Sequence, residues 1–157
     1  MIPPTFAVPP AHEPRPYDPE RYRRAVERLA DTLTGAAPDD WRRIDLKVRM
    51  VVGACAVDLA MMRRTGTFPR REPPGEIVEI CAELRSLMYR PEEGTWFGMR
   101  FTMDPPDAFW VSYNREHDPQ WNPPLSAREW SDDLAAFPRS DEHVPGWLRD
   151  HRAARTR

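Results

Sequence analysis

The chain has 157 residues, 40% of them hydrophobic, which is enough apolar material for one buried core and a length that favours a single domain. Its 23 basic and 25 acidic side chains leave a formal charge of −2, which argues against a general nucleic-acid binder, because phosphate contacts need a basic excess. No run of about 18 apolar residues and no basic start followed by an apolar stretch is present, so the expectation is a cytoplasmic protein without a membrane span or secretory signal.

Residues 1–17 hold six prolines, Pro3, Pro4, Pro9, Pro10, Pro14 and Pro16. Proline cannot donate a backbone hydrogen bond, so this segment is expected to be a flexible tail outside the domain. Asp18 and Pro19 then supply an N-cap and a first-turn proline. Tyr22, Val26, Leu29 and Leu33 recur at helical spacing up to Gly35, which predicts a helix over about 19–34.

The period then changes. Ile44, Leu46, Val48 and Met50 alternate with Arg43, Asp45, Lys47 and Arg49, and Cys55, Val57, Leu59 and Met61 repeat the pattern after Gly53. Two such rows form a hairpin with one buried face, and bringing both rows to that face sets Val48 opposite Val57 and Lys47 opposite Asp58. Beyond a loop ending at Gly75, the residues Ile77, Ile80, Cys81, Leu84, Leu87 and Met88 make one broad helical stripe that ends before Pro91. Cys55 and Cys81, both in apolar runs, are expected as buried free thiols.

A second hairpin is predicted from Phe97, Met99 and Phe101 on one strand and Phe109, Val111 and Tyr113 on the next. Proline at 106 cannot take the left-handed conformation that usually ends a three-residue turn. A five-residue loop over Met103–Asp107 is therefore preferred, with Met99 opposite Val111 and Arg100 opposite Trp110 in cation–π reach. Ser126 and Glu129 then form a capping box ahead of Ala127, Trp130, Leu134 and Phe137, which share a helical face. Trp147 and Leu148 anchor the irregular end of the domain.

The fold class predicted is α+β: a single antiparallel sheet of about four strands in two hairpins, in the order α-β-β-α-β-β-α, with three helices packed on one face. The domain is placed at residues 18–150, with a charged tail over 151–157. The outer sheet face is expected to carry Arg43, Lys47, Arg49 and Asp58 on the first hairpin and Trp96, Arg100 and Trp110 on the second. Charge is uneven along the chain. Residues 91–145 hold four basic against eleven acidic side chains, a net of −7, and the remaining 102 residues carry +5. An acidic region of this kind steers toward cationic partners.

Asp104, Asp107, Glu116 and Asp118 beside His117 could be read as metal ligands or acid/base groups. Asp104 and Asp107 flank Pro105-Pro106, and Asp118 precedes Pro119, so turn formation accounts for them. His117 and His143 lack the CxxC or HxxxH spacings of metal sites. Neither metal, cofactor nor catalytic residue is assigned.

The run "GTWFGMRFTMDPPDAFWVSYN" followed by "DDLAAFPRSDEHVPGWL" resembles the YezG-type immunity proteins, or antitoxins, of bacterial polymorphic toxin systems. The resemblance spans about residues 19–148 and is strongest from Gly94 onward. It rests on the hairpin, on Asp133-Leu134, and on Phe137, Pro138, Arg139, Glu142, Val144, Pro145, Trp147 and Leu148. It implies a protein that binds a cognate secreted toxin, often one acting on nucleic acids or nucleotides, and makes no direct contact with nucleic acid or membrane. On that reading Trp110 and Trp121 centre the toxin contact, with Asp104, Asp107, Glu116, Asp118, Asp132 and Asp133 around them, matching a cationic cleft. The alternatives are a secretion chaperone for an effector protein and, further off, a metal-dependent hydrolase.

Overall fold

The alternating rows decide the architecture. In the computed structural model, which describes residues 4–154, β2 (Trp41–Val51) and β3 (Ala54–Arg63) form the first hairpin, with Val48 opposite Val57 and Lys47 opposite Asp58 as the alternation requires. The second hairpin, β5 (Gly98–Asp104) and β6 (Ala108–Asn114), joins it through β2 and β5, so Lys47 also neighbours Arg100. All pairings are antiparallel, and the sheet order is β1-β3-β2-β5-β6.

The sheet has six strands rather than four. The two extra ones are short and both pair with β3. β1 (Thr5–Ala7) lies against Cys55–Val57, and β4 (Arg70–Arg71) against Leu59 and Ala60. β1 falls inside the segment expected to be a tail. Farther along that segment, the Arg15 amide donates to the Ser86 carbonyl at 3.1 Å. A three-residue strand between prolines has no periodic signature to read, and an edge position tolerates the missing backbone donors of the flanking prolines. The rest of the predicted tails, residues 1–3 and 155–157, lies outside the described residues.

Helix α1 (Pro19–Gly35) is capped by Asp18, whose carboxylate accepts from the amides of Glu20 and Arg21. With α2 (Glu76–Leu87) it covers the sheet face formed by Ile44, Leu46, Val48, Met50, Val57, Leu59, Met99 and Phe101. α3 (Ala127–Ala136) carries the predicted capping box, and a fourth helix, α4 (Gly146–Ala153), runs through the expected domain end. The helices do not share one face. α3 and α4 pack on Val51 and Ala56, which are out of phase with Met50, Cys55 and Val57 and therefore point to the opposite side, beside the β2–β3 turn.

Two details of the second hairpin depart from expectation. Its register pairs Met99 with Tyr113 and Phe101 with Val111, and the chain reverses over only three residues, Pro105–Asp107. No residue of the turn is left-handed, so the objection to a three-residue loop does not apply. Arg100 consequently faces Ser112, and Thr102 faces Trp110. The second departure is Trp96, expected on the outer face but fully buried in the main core, 5.9 Å from the Tyr113 ring. Strand geometry begins only at Gly98, so alternation does not extend back to Trp96 and Phe97. Phe97 turns instead toward Trp130 and Trp147 in the second cluster.

Candidate partner-binding surface

Beyond the reach of α3 and α4, the second face of the sheet is open. β2 contributes Arg43, Asp45, Lys47 and Arg49 to it, β5 contributes Arg100, Thr102 and Asp104, and β6 contributes Trp110 and Ser112. Most of its charges are paired across strands. Arg43 donates twice to Asp104 at 2.8 Å, Arg100 twice to Asp45 at 3.0 and 3.1 Å, and Arg70 to Asp58 at 2.8 Å. Hydrogen bonds from Arg43 hold the Asp104 carboxyl below the usual carboxylate range. Arg49 donates to the Pro119 carbonyl at 2.7 Å. Lys47 is the sole lysine of the chain. It has no ion pair among the described residues, and it borders a shallow groove of about 290 Å³ also lined by Arg49, Asp58, Arg100, Ser112 and Asn114.

The structure divides the eight residues assigned to partner contact among three places. At the turn end of the second hairpin, Trp110 is 56% exposed on the open face, close to the exposed, unbridged Asp107; Phe109, 45% exposed, points to the other face and stacks on Phe101 at 5.3 Å. Asp104 shares that end but is neutralised by Arg43. Glu116, Asp118 and Trp121 follow the other end of β6. Glu116 is exposed, while its carbonyl accepts from Trp147 Nε1 at 2.7 Å. Burial acts to raise the Asp118 carboxyl, but hydrogen bonds from His151 at 3.0 Å and from the Gln120 amide outweigh it and bring the pKa down. Trp121, expected in a polar loop at the surface, is only 8% exposed within the second cluster. Asp132 on α3 is exposed, 3.9 Å from Arg128.

Asp133 occupies the third place, the interior. It is 2% exposed and takes two hydrogen bonds from the fully buried Arg85, at 2.7 and 2.8 Å, and a third from the Val52 amide at 2.7 Å. Arg85 also donates to the Trp96 carbonyl at 2.8 Å and lies over the Phe137 ring. Asp133 thus ties α3 to α2 and to the β2–β3 turn and is not available to a partner. The helical spacing carried this signal. Arg85 follows Cys81 by four in the apolar stripe of α2, and Asp133 follows Trp130 by three on the buried face of α3, two opposite charges on facing apolar stripes.

Two further residues were given no structural role by the sequence reading. His12, in the N-terminal segment, packs tilted against Phe137 with ring centroids 5.3 Å apart, with Nδ1 3.0 Å from the Pro10 carbonyl and Nε2 3.4 Å from Arg85. Arg139 bonds the carbonyls of Thr95, Arg115 and His143 and lies over Phe97. It fills the space where a side chain on Gly94 would sit, and Gly94 holds φ at +87°. Burial lowers the Arg139 pKa to about 10.

The thiols of Cys55 and Cys81 are both free and buried, and burial pushes Cys55 up to about 12 and Cys81 well above its ordinary value, so neither is a poised nucleophile. Among the described residues no three or more His, Cys, Asp and Glu side chains converge to hold a metal ion, and no helix is long and apolar enough to cross a membrane. No protein-family model matches the chain, and no curated protein matches it either. What the surface offers chemically is an exposed tryptophan beside a carboxylate, on a sheet where Arg43, Asp104, Arg100 and Asp45 are paired with each other and Lys47 has no ion pair among the described residues.

Proposed function

We propose that this chain is an immunity protein that binds a cognate bacterial toxin and covers its active site. The observation that carries the reading is the turn end of the second hairpin, where Trp110 stands in solvent on the open face close to Asp107, while Phe109, one residue before it, turns to the other face against Phe101. Tryptophan is among the residues most enriched at binding hot spots, where it acts as an anchor beside charged groups. The resemblance from Gly94 onward supports the same reading. Its Asp133, Arg139 and Gly94 act as framework, holding the hairpin and the terminal helices together rather than meeting the toxin.

The contact is accordingly narrower than eight residues. It centres on Trp110 with Asp107, whereas Trp121 and Asp133 belong to the interior and Phe109 lies on the opposite face of the sheet. Glu116 and Asp132 act at longer range, by charge, on a basic cleft. The test is co-expression of the chain with candidate secreted toxin domains, followed by a toxin activity assay on each purified pair. Inhibition that is lost on Trp110→Ala supports the proposal. Binding without inhibition points to a secretion chaperone instead.

A further inference from the structure

The two edges of the sheet are treated differently. The β3 edge is covered by β1 and β4, each two or three residues long, and β1 is followed by Pro9 and Pro10. Short strands and flanking prolines are the devices by which proteins keep a sheet edge from pairing with another chain. The β6 edge has none of them. Ala108–Asn114, AFWVSYN, contains no charge and no proline in a chain that is 31% charged, and its ladder with β5 runs without a bulge. It is seven residues long, it has no strand on its outer side among the described residues, and it exposes Phe109 and Trp110.

We propose that β6 pairs with β6 of a second copy of this chain, continuing the sheet through a two-fold axis at Val111. In that antiparallel register Phe109 meets Tyr113 of the other copy and Trp110 meets Ser112. At both ends Asp107 falls opposite Arg115. The flanking charges choose this register. Among the described residues Asp107 has no ion pair, and the half-buried Arg115 side chain bonds the carbonyls of Gly94 and Met88 and no carboxylate. Shifting each strand by one residue, so that Trp110 lies on the axis, sets Asp104 against Glu116 instead and costs like-charge repulsion. Pairing on Val111 leaves both Trp110 side chains on the open face, one on each side of the axis, so the aromatic projection doubles. The interface follows from the strand edge and stands whether or not the partner of that face is a toxin.

Sedimentation or light-scattering mass on the purified full chain tests this, with a mass of twice 18.3 kDa expected. Val111→Cys should form an intermolecular disulfide on mild oxidation, since residues directly opposite in an antiparallel pair lie about 4.5–5.5 Å apart at Cα, within bridging range. Ser112→Cys, displaced from the axis, should not. The native cysteines are buried and leave little background. A wild-type mass of 18.3 kDa at every concentration overturns the proposal even if the variants fail to fold, and cross-linking through Ser112 rather than Val111 overturns the register. A monomer whose β6 amides gain exchange protection only when a partner protein is added assigns the edge to that partner and equally overturns the dimer.

Discussion

Removing Asp133 leaves the fully buried guanidinium of Arg85 without its counter-charge and the Val52 amide without its acceptor. Breaking one side of such a pair costs about 3–5 kcal/mol, so Asp133→Ala should shift the denaturant midpoint far down, whereas Asp132→Ala, one residue away and exposed, should move it little. If the two variants unfold alike, the buried pair is not what holds α3 to α2. His12 gives a pH dependence at the same place. Burial lowers its pKa from the ordinary 6.5, the hydrogen bond to Pro10 works the other way, and Arg85 lowers it further. The folded chain therefore takes up this proton less readily than the unfolded chain. Stability should be complete above pH 6.5, fall as pH drops below it, and level off once the folded ring is protonated. Unfolding curves of His12→Gln across that window should lack this slope if the assignment is right. Neither residue stands out by type alone. Asp133 is legible through helical spacing, whereas nothing in the proline-rich run around His12 indicates what it lies against.

At the scale of elements, Gly94 decides how the second hairpin meets the C-terminal helices. Its φ of +87° costs a residue with a Cβ about 1–3 kcal/mol, and the added carbon would also collide with the Arg139 side chain. Gly94→Ala should therefore lose at least that stability by thermal or chemical unfolding, and Gly53→Ala, in a turn with open space around it, should lose much less. The elements that could be read in advance are those with a clear period. α1 was marked by its cap and apolar spacing, and the first hairpin by two long alternating rows whose register follows from burial alone. The second hairpin was found as an element but misregistered by two residues, because alternation fixes which face a residue takes and leaves the loop length to turn chemistry. β1 and β4 are too short to have a period at all.

The molecule as a whole presents one face covered by α1 and α2 and a second only partly covered by α3 and α4, and binding is predicted for what stays uncovered. Trp110→Ala should weaken toxin affinity by about 2 kcal/mol or more, roughly thirty-fold in Kd by titration calorimetry. Charge removal at Asp107, Glu116 and Asp132 should chiefly slow association and flatten its dependence on salt, as stopped-flow measurements would register. Affinity indifferent to Trp110 would put the contact elsewhere. Of this surface, the exposed tryptophan on the second hairpin and the acidic turn were visible in the sequence, while the partition of the carboxylates was not, because pairing with Arg43 or Arg85 depends on residues 48 to 61 positions away. Lys47 adds a practical consequence. A chain with a single lysine, exposed in the middle of its open face, has one side-chain amine for acylating reagents. A dye placed there sits on the uncovered sheet between Arg49 and Arg100, and the rate at which that one amine is modified becomes a direct gauge of whether the face is occluded.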